Sequence, residues 1–161
     1  MLKKFYYLLL TVVLIFFIAT LNLSAQDNKL SGYGADIMHT SVSGLSSGAF
    51  MTSQFEVVFS KNIVGAGIIA GGPYYCSGSF DTSSHEDNAM STCMNPVGLG
   101  PNTKKLVEKA KDYAKKGLID DLNNLKDDKI YIFSGTNDQT VTTKVVDETR
   151  KFFKLDRKSV V

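Results

Sequence analysis

The sequence predicts an α/β fold, a parallel sheet of about three strands with covering helices. Three observations carry that expectation. Strand-length segments at 37–43, 63–70 and 129–134 alternate with stretches of helical apolar spacing, the order expected of strand–helix–strand units. Residues 63–70, IVGAGIIA, are a continuous apolar run, which suits a strand covered on both faces. Between the first strand and the helix after it lies Gly44-Leu45-Ser46-Ser47-Gly48, a G-x-S-x-G pentapeptide. Such a motif places a serine hydroxyl at the top of a sharp strand-to-helix turn, where residues without bulk are needed on either side.

Taken in order, the chain opens with Lys3 and Lys4 ahead of an apolar run over 5–20, and Leu23-Ser24-Ala25 ends in a small residue. This is the layout of a secretory signal, with cleavage expected after Ala25. Leu23 is bulky for the position before such a site, so an uncleaved membrane anchor is the alternative. Residues 26–36 have no periodicity and form a lead-in loop. The first strand, 37–43, alternates apolar and polar residues. The helix expected over 49–59 is apolar on almost every face, as a buried helix would be. After the 63–70 strand, Gly71-Gly72-Pro73 stops any regular element.

Residues 74–100 read as loop, with a helical turn or two near 88–94. Pro101-Asn102-Thr103 opens a helix whose stripe is Leu106, Val107, Ala110, Tyr113 and Ala114, and Gly117 is placed to cap its end. Leu118, Ile119, Leu122 and Leu125 continue the period, predicting a second short helix to about Asn124. Asp127-Asp128 turns the chain into the third strand, which delivers it to Gly135-Thr136-Asn137-Asp138. The last helix carries Val141, Val145, Val146, Thr149, Phe152 and Phe153 on one face. No repeat, proline-rich linker or low-complexity tract divides 26–161, which therefore read as one domain.

Of the 161 residues, 43% are hydrophobic and 21% charged, with net charge +2 and no tryptophan. That balance is globular and lacks the basic field that nucleic acid requires. Cys76 and Cys93 are the only two cysteines. In an exported chain they read as an intrachain disulfide, stapling a polar segment that has little apolar surface of its own. A metal site made of Cys76, His85 and Cys93 is the rival, but the spacing matches no zinc pattern, and neither a metal nor another cofactor is expected.

A serine hydroxyl needs a histidine to take its proton and a carboxylate to hold that histidine. Ser46 and Asp138 both follow the carboxyl ends of strands, where catalytic groups gather in parallel sheets. The Ser47 N–H, at the mouth of the helix, is suited to donate to an oxyanion. Asp138 has a structural alternative as an Asx-turn residue capping the last helix. The chain has two histidines. His39, in the middle of the first strand, lies about 15 Å or more from the Ser46 end by strand geometry. His85 sits in the disulfide loop, an unfavourable mount for a preorganised base.

With these residues in hand, the chain resembles the secreted polyhydroxybutyrate depolymerases, esterases of the circularly permuted α/β-hydrolase type. The resemblance is carried by SVSGLSSGAFMTSQF around Ser46, IIAGGPYYC through Cys76, CMNP at Cys93 and IYIFSGTNDQTV around Asp138. It implies that Ser46 is the nucleophile, Asp138 the triad acid, the Ser47 N–H half of the oxyanion hole, and Cys76–Cys93 a disulfide. It implies a partial α/β-hydrolase sheet, truncated at the C-terminus, because the family's histidine and second oxyanion donor come from a later part of the domain. The expected substrate is an aliphatic polyester or a small ester, met in a secreted or periplasmic setting, with membrane contact only through the signal segment. Weak activity or none is expected of this stretch alone. The rivals are a carbohydrate-ester hydrolase, acetyl or feruloyl, of the same architecture, and a non-catalytic module that binds through Tyr74-Tyr75.

Overall fold

A computed structural model describes residues 3–4, 7, 9–12 and 31–155. The chain divides into two units, 1–35 and 36–161. In the first, the described positions between 3 and 12 are helical and 31–35 carry no regular structure. The expected cleavage point after Ala25 lies outside the described residues. Among the described residues no helix is long and apolar enough to cross a membrane.

The second unit is built on three strands in the order β1-β2-β3: β1 (Thr40–Leu45), β2 (Ile63–Ile69) and β3 (Lys129–Phe133). Both pairings are parallel, as the alternation of strands and helices requires. The helices are α1 (Ser47–Val58), α2 (Thr103–Lys115) and α3 (Thr143–Leu155).

The first strand starts later than its alternation suggests. Asp36 accepts a hydrogen bond from the Met38 N–H at 2.9 Å and closes a 3-10 turn over Ile37–His39. A local side-chain cap thus takes three residues from the expected strand, and β1 runs instead into Gly44 and Leu45. His39 is therefore in a turn before the strand rather than in its middle. Its Nδ1 lies 2.6 Å from Asp36 Oδ2, and this bond, ahead of the Met38 N–H, holds the Asp36 carboxyl below its usual range.

All three helices share one core with one face of the sheet. Ala49 and Val57 of α1, Leu106, Val107 and Ala110 of α2, and Phe152 and Phe153 of α3 pack with Ala66, Ile68 and Ile130, joined at the margin by Val42 and Ile132. Alternate positions of the edge strands, Ser41, Ser43 and Leu45 on β1 and Lys129, Tyr131 and Phe133 on β3, are exposed. The expectation of a sheet covered on both faces therefore holds for one face only among the described residues. β2 is central, and its apolar run reflects burial between two strands and under α1.

Helix α1 departs from the all-round burial expected of it. Its buried residues are Ala49, Thr52, Ser53, Glu56 and Val57, whereas Met51 and Phe55 are exposed. Ser53 Oγ satisfies itself by donating to Gly72 O at 2.8 Å, which ties the helix to the turn after β2. Helix α2 begins where Asn102 accepts from the Lys105 N–H. It ends in a Schellman motif: Gly117 sits at φ 68°, its N–H donates to Ala114 O, and the Leu118 N–H donates to Tyr113 O. That termination breaks the apolar period, so the second helix is replaced by a 3-10 stretch, Leu122–Lys126, capped by Asp121.

Cys76 and Cys93 are joined, with Cα atoms 6.0 Å apart. The loop they close holds a helical turn, His85–Asp87, and a π-helical turn, Asn88–Thr92. It is folded inward on Asn88, which is 1% exposed and donates through Nδ2 to Phe80 O at 2.8 Å.

Candidate active site

The elbow is built where β1 hands over to α1. Ser46 stands at φ 54° and ψ −120° in the N-cap position of α1, one of three non-glycine residues with positive φ among those described. Its N–H donates to Ile69 O at 3.0 Å, and its own carbonyl accepts from Ala49 N–H and Phe50 N–H. The last rung of β1–β2 pairing and the first turn of α1 together hold a conformation that a serine does not adopt by preference. The side chain is left exposed at the carboxyl edge of the sheet.

Only one of the two flanking glycines is required by crowding. A Cβ at Gly44 would lie 2.3 Å from the carbonyl carbon and oxygen of Gly48, so the first turn of α1 rests directly on Gly44. A Cβ at Gly48 would meet nothing within 4 Å. The expected need for small residues on both sides is met by Gly44 alone among the described residues.

Beside Ser46 opens a cavity of about 440 Å³, within the usual range for small-molecule sites. One wall is the elbow and the outward face of α1: Ser46, Ser47, Phe50, Met51 and Gln54. The other wall is the disulfide loop, through Tyr75, Cys76, Ser77, Ala89, Cys93 and Met94, with Val141 at the end of the Asp138 loop. The exposure of Met51 is thereby explained, since it faces a cleft rather than a core. Ser47 is the first residue of α1, where the backbone N–H has no intrahelical acceptor. That N–H and the positive end of the helix sit beside the hydroxyl.

Asp138 lies in the loop after β3, on the same sheet edge as Ser46 but with β2 between them. Its Oδ1 accepts from Thr140 N–H at 2.8 Å and Val141 N–H at 3.0 Å. The Asx-turn alternative is therefore realised, although it shapes the loop and not the end of α3, whose first-turn Val145 N–H donates to Thr142 O. No hydrogen bond among the described residues engages Oδ2, so the same carboxylate retains an acceptor. Among the described residues no hydrogen bond joins Asp138 to Ser46.

Neither histidine stands at Ser46. His39 precedes β1, at the opposite end of that strand from the elbow. His85 is ordered rather than adrift. Its Nδ1 is 3.1 Å from Ser77 Oγ, and its ring meets Tyr75 edge-on at 5.5 Å. The cysteines, bonded to each other, are not available to a metal, and the described residues contain no cluster of three or more His, Cys, Asp or Glu able to hold one. Tyr74 is 4% exposed, with burial foremost in pushing its phenol up to about 12. With Tyr75 half-buried against the core, the pair of exposed tyrosines needed for a binding platform is not formed.

The residues that sequence reasoning passed over are the cavity walls. Phe50, Met51 and Gln54 carry a local signal, because they occupy neighbouring positions of the helix opened by Ser46. Ser77, Met94 and Val141 carry none, since only the folded loop brings them to the elbow.

No family model matches the chain. It is 43% identical over 121 residues to a poly(3-hydroxybutyrate) depolymerase of Delftia acidovorans, a match that covers 73% of this chain and 23% of that protein. Among solved structures it is similar to a PHB depolymerase from Penicillium funiculosum, at 30% identity and a TM-score of 0.66, over 78% of this chain and 37% of that one. A PHB depolymerase complexed with an R3HB trimer is similar at 28% identity and a TM-score of 0.67, over 82% of this chain and 40% of the other. The chain thus spans less than half the length of each of these relatives. Over the part it spans, the chain belongs by sequence and by fold with the polyhydroxybutyrate depolymerase-like family.

Proposed function

We propose that this chain carries the nucleophile half of an exported serine esterase that cleaves polyhydroxybutyrate-like polyesters or their oligomers. The observation that carries the reading is the Ser46 elbow: a serine at φ 54° opening α1 beside a cavity of about 440 Å³. Ser46 Oγ would attack an ester carbonyl, losing its proton to a base as the C–O bond forms. The oxyanion would be met by the Ser47 N–H at the start of α1. Collapse would expel the alcohol and leave an acyl-serine, which water then hydrolyses. Asp138, with Oδ2 open, suits the carboxylate that steadies a histidine. Relatives named as depolymerases of such polyesters, and a neighbour complexed with an R3HB trimer, supply the substrate class. The apolar walls, Phe50, Met51, Met94 and Val141, favour an aliphatic acyl chain over a sugar ester.

Export is supported by the basic and apolar start of the sequence and by the disulfide, which persists in oxidising compartments. N-terminal sequencing of material from the culture medium or periplasm should find Gln26 first, and retention of Lys3 would favour the anchor instead.

The test of the nucleophile is a chimera that adds the remaining length of the Delftia acidovorans relative to this chain. Ser46→Ala should abolish its esterase activity, whereas Ser43→Ala should leave most of it. An active Ser46→Ala chimera would overturn the assignment. The chain by itself has no histidine against Ser46 among its described residues. In subtilisin, removing the triad histidine costs roughly six orders of magnitude in turnover. Residues 26–161 should therefore turn over a soluble aryl ester negligibly.

A further inference from the structure

The wall of the cavity that faces the elbow carries one serine, Ser77. On the α1 wall, Gln54 Oε1 accepts from the Tyr75 N–H at 3.0 Å and Nε2 donates one of its hydrogens to Phe50 O at 3.1 Å. Tyr75 is half-buried, with its ring packed edge-on against Tyr113. Ser46 and Ser47 belong to the elbow. What remains is Ser77, whose Oγ lies 3.1 Å from His85 Nδ1. We infer that Ser77, oriented by His85, is a second-ester binding residue whose hydroxyl donates to a carbonyl of a polyester chain whose neighbouring unit lies at Ser46. This inference rests on the reading of the site as a polyester site.

The chemistry of the ligand selects the arrangement. Within a polyester chain every polar atom is an acceptor, so recognition of an interior unit requires a donor from the protein. With its proton on Nδ1, His85 donates to Ser77 Oγ, and the serine O–H is free to point at the ligand. With Nδ1 bare, the serine O–H turns to the imidazole and only lone pairs are offered. An ester carbonyl therefore binds the form in which His85 is the donor. The histidine acts on ligand through Ser77 and is a positioning residue.

The wall is also held in place before any ligand arrives, which lowers the cost of ordering it on binding. Ser77 follows Cys76, whose bridge to Cys93 anchors the loop across the cavity. Tyr75 supports the imidazole edge-on at 5.5 Å and is itself braced edge-on by Tyr113 at 5.8 Å. Lys109 lies over the Tyr113 ring at 4.7 Å and completes the stack from α2. A residue supported through this much of the molecule presents its hydroxyl in a defined direction.

The experiment is a titration of the full chain with (R)-3-hydroxybutyrate trimer, followed by amide chemical shifts. Ser77→Ala should weaken binding by about 3- to 10-fold, the range of one neutral hydrogen bond. His85→Phe keeps a ring against Tyr75, removes the Nδ1 donor, and should also weaken binding. Ser77→Thr keeps the hydroxyl and should stay close to the unmodified affinity, which a purely structural role for the position would not require. If the trimer shifts amides around Ser46 and Met51 and the affinity is unchanged by Ser77→Ala and His85→Phe, this inference is overturned while the polyester reading stands. A trimer that does not bind the unmodified chain overturns both.

Discussion

At Ser46 the backbone holds a conformation that costs a non-glycine residue about 1–3 kcal/mol, and the exposed hydroxyl is what that strain produces. Ser46→Gly should then raise stability by about 1 kcal/mol, whereas Ser46→Ala keeps a Cβ and should not. Chemical denaturation of the two variants checks this, and equal stabilities would show that the elbow is unstrained. The flanking glycines make a second contrast. Gly44→Ala drives a Cβ into the Gly48 carbonyl and should cost about 3 kcal/mol or more by displacing α1. Gly48→Ala, with open space around it and a helical backbone, should be neutral or stabilising by about 0.5–1 kcal/mol. The pentapeptide was legible in the sequence, but which of its glycines is sterically obligatory was not, because that depends on how closely the helix descends onto the strand.

The disulfide loop is the element on which the cavity depends. Its apolar content is low, and it is kept against the fold by the Cys76–Cys93 bridge and by the inward hydrogen bond of Asn88. With a sequence separation of 17 between the cysteines, closure is worth about 3 kcal/mol in the chain-entropy account. Reduction should lower the stability measured in denaturant by about that amount, and it should abolish trimer binding at the Tyr75–Ser77 wall before the sheet unfolds. Unchanged trimer affinity in reducing buffer would show that the loop holds without its bridge. Pairing was readable from two cysteines in a chain whose first residues lead one to expect export. The helical turn, the π-helical turn and the Ser77–His85 contact were not, since no periodicity marks a segment that short and polar. The 3-10 turn before β1 escaped for a related reason. The Asp36 cap is a side-chain contact competing with an alternating pattern, and alternation alone does not reveal the winner.

Across the whole of the second unit, three helices lie on one face of a three-stranded sheet and the other face shows side chains in register. Leu45 pairs with Ile69, which pairs in turn with Phe133, and Ser43 pairs with Gly67, which pairs with Tyr131. Leu45, Tyr131 and Phe133 are 65%, 56% and 50% exposed. Apolar surface of this kind on parallel strands drives association. Residues 26–161 should sediment as more than a monomer, and the paired substitution Tyr131→Thr, Phe133→Thr should reduce that association. A monodisperse monomer before substitution would count against it. The order of strands and helices, the elbow serine, the cysteine pair and the kinship with polyester depolymerases were all determined by the sequence alone. Each rests on local pattern or on a motif whose residues are adjacent in the chain. Only the tertiary structure decided that one sheet face is exposed among the described residues, that Asp138 uses one oxygen in a turn, that Tyr74 is buried beside a half-buried Tyr75, and that Ser77, in contact with His85, faces the elbow across a cavity. Burial and side-chain partnership are set by segments far apart in sequence meeting in space, and no local pattern encodes which of them will meet.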